Sequence, residues 1–558
     1  MHSLILAAAA ATADLILVGG HVHTMDTTRP DVTAIAVTGD RIVAVGTDAD
    51  IRALAGPATH VLDLGGRAVI PGLIDTHTHA FESMRNRVAG SVDLGIPGVK
   101  SLAEAVAAVR QRAATVSAGA WVLGDRWDES KWAEGRYLRR TDIDAVTGNR
   151  PAYLEHISGH AAVANSTALE VAGVTRDTKN PVGGSLERDS RGDLTGVLKD
   201  TAMDLVRAHI PPSTFGEAER IETAARVSRE AASLGLTTIH DSALTAEALR
   251  GYQEAEAAGR LRIRVLANPL IPADAADTAL GHLRAMGVHT GHGSAHLKWG
   301  AVKFFADGGM AARTIAVTPP GPEGDPANLG LLRWETDRLA AAMKEAHALG
   351  WQITAHAIGD RAIGQVLDAL QAALGPNPGD HRSRIVHCGV TTPALLDRIK
   401  SMGVLVDHNP PFVYWIGAWF HNYGPERAAG AYRGKSYETH GIVASGGSDF
   451  SVTALSPWWG IWAAVERKEY GTGTVLGPEE RVDATTALRW YTANGAIAGF
   501  EEHDKGSLAP GKLADLIVLD RDPLAIPAEG LKDVHVLATL VGGDVIHQDP
   551  ALPWSARD

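Results

Sequence analysis

The sequence predicts an α/β chain built on a (β/α)8 TIM barrel, with a long insertion after the first barrel strand and a small β-sandwich made from both termini. Three observations carry this expectation. Through the middle of the chain, apolar runs ending in polar residues alternate with alanine-rich helical stretches. Strand-like segments crowd at both ends. One connection, residues 81–232, far exceeds the usual βα loop of about 2 to 6 residues. Average domain size would divide 558 residues into several domains, but a barrel with insertions absorbs several hundred residues around one core.

The elements follow in chain order. Leu4 to Ala11 is a short apolar run before Ala11-Thr12-Ala13, a small-residue cleavage pattern, but no Lys or Arg precedes it. Residues 1–13 therefore read as a leader, disordered or a signal. The expected location is the cytoplasm, or the periplasm or outside if the leader is cleaved. From Asp14 the strands Leu15-Ile-Leu-Val-Gly-Gly and Ala34 to Gly46 follow, with Gly39-Asp40 at a hairpin position. Asp515-Leu-Ile-Val-Leu-Asp and Val534 to His547 have the same texture, so 14–68 and 505–550 are expected to form one composite β-sandwich. Between them, residues 69–504 form the expected barrel. Its strand runs are Ala68 to His79, Leu236 to Asp241, Ile263 to Pro269, Ala301 to Asp307, Gln352 to His356, Ile385 to His387, Val404 to Asp407 and Ile442 to Asp449. In a parallel barrel each terminal polar residue lies on the catalytic rim. The insertion holds helical signals near Ser101 to Val116, a Trp/Asp/Arg-rich piece from Trp121 to Arg140 and a possible strand Ala152 to Ile157. Such insertions commonly cap the site, and a structural side module is the alternative.

Composition narrows the functions available. Asp and Glu outnumber Lys and Arg, 65 to 52, and no basic run interrupts the chain, the wrong footprint for nucleic acid or anionic membranes. No stretch reaches the ~18 apolar residues of a membrane span. The single Cys excludes intramolecular disulfides and thiolate-built zinc or iron–sulfur sites. The 24 histidines leave imidazole and carboxylate metal sites open.

His77-Thr78-His79 opens the chemistry. Residues i and i+2 of a strand face the same way, so both imidazoles can reach one metal. Taken alone, an HxH pair in a histidine-rich chain is often incidental. His356, His387 and Asp449 close three further strand runs. Each singly could be a hydrogen-bonded core histidine or a helix-capping aspartate. Four histidines and a carboxylate converging from four strand ends are poorly explained that way.

Pro71-Gly-Leu-Ile-Asp-Thr-His-Thr-His resembles the first-strand signature of the amidohydrolase superfamily, and Gly506-Ser-Leu-Ala-Pro-Gly-Lys-Leu-Ala-Asp-Leu-Ile-Val-Leu-Asp resembles its C-terminal signature. Val302-Lys-Phe-Phe-Ala-Asp-Gly, His356-Ala-Ile-Gly-Asp, Asn165-Ser-Thr-Ala-Leu and Gly183-Gly-Ser resemble the type-3 branch that includes N-substituted formamide deformylase-like enzymes. The resemblance implies metal ligands at His77, His79, Lys303, His356, His387 and Asp449, with Lys303 carboxylated by CO2 to bridge two divalent ions. Zinc is the default, and Mn, Fe or Co suit the same donors. Unmodified, Lys303 would set an ammonium against two cations, or pair with a carboxylate such as Asp307.

The implied function is hydrolysis of a non-peptide C–N bond, in an amide, N-acyl, N-formyl, carbamate or cyclic amide, by a metal-activated bridging hydroxide. Asp449 is the expected catalytic residue, taking the nucleophile's proton and passing it to the leaving nitrogen. Substrate-side candidates are His240, Arg313, His160 and Trp127, with Trp415, Trp419, Trp458 and Trp459 as an aromatic rim. Cys388 reads as a buried filler. The partner is a small molecule, and a homodimer is the base-rate assembly. A mononuclear deaminase of the same superfamily is the enzymatic alternative, disfavoured by Lys303 and by the absence of a glutamate soon after His356, although Asp360 stands near. A non-catalytic barrel scaffold is the other alternative, disfavoured by the full ligand set.

Overall fold

Every apolar-to-polar run of the central region contains a strand in the computed structural model, which describes residues 12–95, 98–211, 215–552 and 554. Most of the expected leader, residues 1–11, lies outside these residues. Leu73–Thr78, Leu236–Leu244, Arg264–Pro269 and Leu297–Trp299 make one parallel sheet. Val302–Phe305, Ile353–Ala357, Arg384–His387, Leu405–His408 and Ala444–Gly446 make a second. The sheets meet at Gly300-Ala301, where Gly300 N donates to Ala267 O and Ala301 N to Asn268 Oδ1, so the fourth run changes neighbours partway. Isolated parallel bridges join Leu270 to Lys303 and Thr78 to Phe450, one at each pair of sheet edges.

Both faces of these strands are buried, which is why they read as unbroken apolar runs rather than alternating ones. Helices between them lay apolar faces on the strands: Leu280, Leu339, Leu367, Ile399 and Leu488 share one core with Ile239, Val265, Phe304, Ile385 and Val406. Several helices start at a side chain that caps a free backbone N–H, as Thr245 does for Ala248, Thr392 for Leu395 and Asp483 for Thr486.

The run Ala68 to His79 divides into two strands. Ala68–Pro71 pairs with His21–His23 and Leu516–Leu519 in a six-stranded sheet of both termini, and only Leu73–Thr78 joins the parallel sheet. Gly72 makes the handover. A Cβ there would lie 2.2 Å from the Thr237 side chain, so only glycine lets the chain cross so closely. A four-stranded sheet of N-terminal residues lies beside the six-stranded one, and Leu17, Ile35, Leu62, Val69, Leu516 and Leu540 share a core between them. The insertion carries its own six-stranded sheet, from Val92–Asp93 to Leu194–Asp200. Residues 81–88 and 217–232 depart from the expected extent of the insertion, because the helices Ala80–Val88 and Glu217–Ser233 pack on each other and on strand Leu236–Leu244.

One buried ion pair ties the terminal sheet to the parallel strands. Arg264 donates from Nε and Nη2 to the two Asp515 carboxylate oxygens at 2.7 and 2.8 Å, with both side chains almost fully buried. Breaking such a pair strands the remaining charge in the interior. Asp515→Ala should therefore lower the thermal midpoint and cost about 3 to 5 kcal/mol, read as a shift in the urea midpoint of unfolding. An unchanged midpoint would show that the junction holds without the pair.

Candidate metal centre

The ends of the first strand and of the last run are stitched together. Asp449 N donates to His77 O at 2.8 Å, and His79 N donates to Phe450 O at 2.7 Å. Gly447 permits this approach, since a Cβ there would come within 3.0 Å of His77 Cβ. The stitching sets Asp449 Oδ1 3.2 Å from both His77 Nε2 and His79 Nε2. Neither contact satisfies hydrogen-bond geometry, and Oδ1 is a buried acceptor with no hydrogen-bond donor among the described residues. Lys303 Nζ lies 3.4 Å from His77 Nε2. The His387 ring centre is 5.4 Å from that of His77 and 4.7 Å from that of His356. Asp449 and His387 hold φ of 54° and 71°, a left-handed backbone that costs non-glycine residues energy and concentrates at functional sites. The six residues singled out in the sequence thus form one group at the strand ends.

Each imidazole is oriented from behind. His79 Nδ1 donates to Ser242 O at 2.9 Å, and His77 Nδ1 is 3.0 Å from Ser242 Oγ, which itself accepts from Asn268 Nδ2. Asn409 Oδ1 accepts from His387 Nδ1 at 2.8 Å, its amide nitrogen being turned to Gly447 O. These contacts leave Nε2 of the three rings for a metal. His356 is reversed: Nε2 meets Gly308 O at 3.1 Å and Asp307 Oδ1 at 3.2 Å, which leaves Nδ1. Such outer partners fix ring tautomer and direction.

Charge follows geometry. Burial first, then the Lys303 charge, holds His77 well below the ordinary imidazole pKa. Burial, then neighbouring imidazoles, does the same for His356 and His387. Neutral imidazole is the ligating form. Burial opposes ionisation of Asp449, yet the adjacent His77 and His79 outweigh it and hold the carboxyl well below its usual range. Burial lowers the Lys303 amine to about 7. Among the described residues Lys303 forms no ion pair. Asp307, the partner weighed in the sequence, instead accepts from Ala316 N, Ile358 N and Gly359 N and contacts His356. Cys388 is buried with its thiol pushed up to about 12, as expected of a filler.

A cavity of about 930 Å³ opens above this group, lined by His79, His356, His387 and Asp449 below and by the insertion above. Of the four substrate-side candidates only His160 lines it, with Nδ1 2.7 Å from Asp200 Oδ1. Trp127 is withdrawn into the insertion core, its Nε1 donating to Leu154 O, because the strand turns that indole inward. His240 is fully buried beneath the rim, 3.1 Å from Arg384 Nη1, and does not line the cavity. Arg313 pairs with Glu323 at 2.8 Å outside it. Trp415 and Trp459 stack with Tyr414 and Tyr470 in a separate aromatic cluster, and Trp419 and Trp458 are buried, so the expected rim of tryptophans is packing. Asp360 accepts from Thr318 N and is absent from the cavity wall. Residues that the sequence reading passed over are Ser242, Asn409, Phe305, Asp200 and Arg333. Ser242 carried a signal, lying two residues after His240 on one strand; Arg333 sits in a loop and carried none.

A second cluster, Asp128, Glu129 and His156, satisfies itself. His156 Nε2 meets Glu129 Oε2 at 3.0 Å, His156 Nδ1 meets Ser158 Oγ at 2.8 Å, and Asp128 accepts from Ser130 N.

Parallel strands gather four imidazoles, a carboxylate and a buried lysine in one group, of which His79, His356, His387 and Asp449 line the cavity, a donor set suited to a metal-dependent hydrolase. The chain belongs to the amidohydrolase family, whose type-3 model matches residues 60–547. It is 31% identical to the N-substituted formamide deformylase of Arthrobacter pascens over 95% of this chain and 97% of that protein. It is 30% identical to the Arabidopsis thaliana protein LONG AFTER FAR-RED 3 over 97% of this chain and 92% of the other. Among solved structures, an uncharacterized metal-dependent hydrolase from Pyrococcus horikoshii OT3 aligns with a TM-score of 0.73 and 25% identity over 92% of this chain and 99% of that one. No helix among the described residues is long and apolar enough to cross a membrane.

Ser242 holds two candidate ligands by different atoms, so Ser242→Ala should weaken metal affinity by about 10- to 100-fold through His77 while the backbone contact to His79 survives. Competition against a chelator would measure this, and unchanged affinity would remove Ser242 from the metal-holding set.

Proposed function

We propose that this protein hydrolyses a non-peptide C–N bond, in an amide, N-acyl, N-formyl, carbamate or cyclic amide, at a two-metal centre held by His77, His79, His356, His387, Asp449 and a carboxylated Lys303. The observation that carries the reading is Lys303. It is a fully buried lysine beside His77, without an ion-pair partner among the described residues and with its amine near neutrality. A neutral amine adds CO2 through a new N–C bond and releases one proton to solvent, becoming an anionic carbamate oxygen donor, which removes the cost of an ammonium inside a cation site. The orphaned Asp449 Oδ1 between two imidazoles fits the same demand for a cation.

Zinc is the expected metal, with Mn, Fe or Co able to use the same donors. When bound, such ions lower the pKa of water and polarise a substrate carbonyl. The protein's own part is positional and protonic. Asp449, ionised and fixed by its backbone contact to His77, accepts a proton from the attacking water and returns it to the leaving nitrogen. Ser242, Asn409 and Gly308 keep the imidazoles aimed inward. His160, tied to Asp200, faces the substrate from the insertion, which acts as the cap over the site.

In this reading the two parallel sheets are halves of one (β/α)8 barrel, supported by the edge bridges Leu270–Lys303 and Thr78–Phe450. The terminal sheets with their shared core form the β-sandwich. Asp360, occupied by Thr318, offers nothing to a deaminase chemistry.

Metal analysis and turnover test this together. Dialysis against a chelator should abolish hydrolysis, and about two equivalents of divalent metal, with bicarbonate, should restore it; one equivalent restoring full activity without bicarbonate would overturn the two-metal reading. Asp449→Asn should lower kcat by at least about 100-fold while most of the metal stays bound. Full turnover in that variant would exclude the proton-transfer role.

A further inference from the structure

Asp75 lies two residues before His77 on strand Leu73–Thr78, fully buried, and no step of the chemistry above uses it. An aspartate commonly bonds the backbone two residues on, and Asp75 Oδ1 does accept from His77 N at 3.0 Å. The same oxygen also accepts from Ser448 N at 3.1 Å, with Oδ2 3.2 Å from that nitrogen, across 373 residues of chain. A local turn needs no such second partner. One carboxylate therefore holds the backbone of the first candidate ligand and of the residue before Asp449.

Ladder hydrogen bonds do not supply this link. Strand Ala444–Gly446 ends before the turn, and the bridge Thr78–Phe450 is the only β pairing between the two segments among the described residues. Asp449, at a φ of 54°, bends the turn away from strand geometry, and such a conformation persists only where its surroundings over-determine it. Both backbone polar groups of His77 serve that end: N is tied to Ser448 N through Asp75, and O accepts directly from Asp449 N at 2.8 Å. Ser448 passes the constraint on. Its Oγ accepts from Phe450 N at 3.1 Å, and Phe450 O accepts from His79 N at 2.7 Å. Asp241 offers the contrast: it accepts from Ala80 N, Phe81 N and Tyr252 Oη, so it holds the helix after His79 and not the turn that carries Asp449.

We propose that Asp75 is a positioning residue that sets the spacing between the His77–His79 pair and Asp449, acting as a shared hydrogen-bond acceptor and not as a metal ligand. This rests on the metal-centre reading above and adds to it the group that fixes the separation of its donors. A misplacement of about 1 Å at such a centre is costly, because the donors must meet one cation together. The carboxylate oxygens of Asp75 are already occupied by two backbone amides, which leaves the imidazoles and Asp449 to face the metal.

The test uses cobalt as the probe, bound to the full chain. Asp75→Ser removes the shared acceptor and leaves space that water can fill; Asp75→Asn keeps Oδ1. Asp75→Ser should weaken cobalt affinity by about 10- to 100-fold in competition with a chelator. The visible absorption of its bound cobalt should shift as well, since that spectrum reports donor geometry, while far-UV circular dichroism stays that of the wild type. Asp75→Asn should return affinity to within about 3-fold of the wild type, together with the wild-type spectrum. Unchanged affinity and spectrum in Asp75→Ser overturn the proposal. So does an Asn variant as weak as the Ser variant, which would make charge the requirement and not the acceptor. A Ser variant that cannot be recovered folded, beside a normal Asn variant, assigns Asp75 to folding and also overturns the positioning role. Both readouts need only the metal: the predicted shifts in a protein that hydrolyses no amide would leave Asp75 in its role and overturn the hydrolase reading instead.

Discussion

The seam between Leu73–Thr78 and residues 447–450 is the constraint on which the site depends. Two backbone hydrogen bonds, Asp449 N to His77 O and His79 N to Phe450 O, join segments some 370 residues apart and fix a carboxylate against two imidazoles. Without that seam the HxH pair would be two histidines at the end of a strand. With it, a buried oxygen has two ring nitrogens at 3.2 Å and no hydrogen-bond donor among the described residues, an arrangement a cation resolves.

Burial and the Asp449–histidine contacts then set the chemistry of the seam. Removing water favours neutral forms, which holds His77, His356 and His387 as lone-pair donors and brings the Lys303 amine down to about 7, whereas at His79 the adjacent Asp449 outweighs burial and raises the imidazole. Asp449 stays ionised, because its contacts with His77 and His79 outweigh the cost of burial. The same low-dielectric interior holds the Arg264–Asp515 pair that fastens the terminal sheet beneath the strands. Charges are thus kept in the interior where geometry compensates them, at the junction and at the strand ends.

Much of this was legible in the sequence. The eight strand runs were visible because a strand buried on both faces must be apolar until it reaches the rim, where a polar residue ends it. Gly72 divided the first run in a way periodicity could not reveal: Ala68–Pro71 and Leu73–Thr78 are equally apolar, and only the closeness of Thr237 shows where one sheet yields to the other. The substrate-side residues were the least legible. Trp127 and His160 both come from the insertion and look alike as candidates, yet one indole faces a core and one imidazole faces the cavity.

What the sequence alone determined was local: which residue types end each strand, and that two histidines two apart share a face, because a strand's two-residue period is a property of its backbone. What only the tertiary structure decided was distance between segments remote in the chain. Asp449 meeting His77, Ser242 orienting two imidazoles, and Arg333 lying on Phe305 all depend on how strands and loops from separate regions pack, and no local period encodes that.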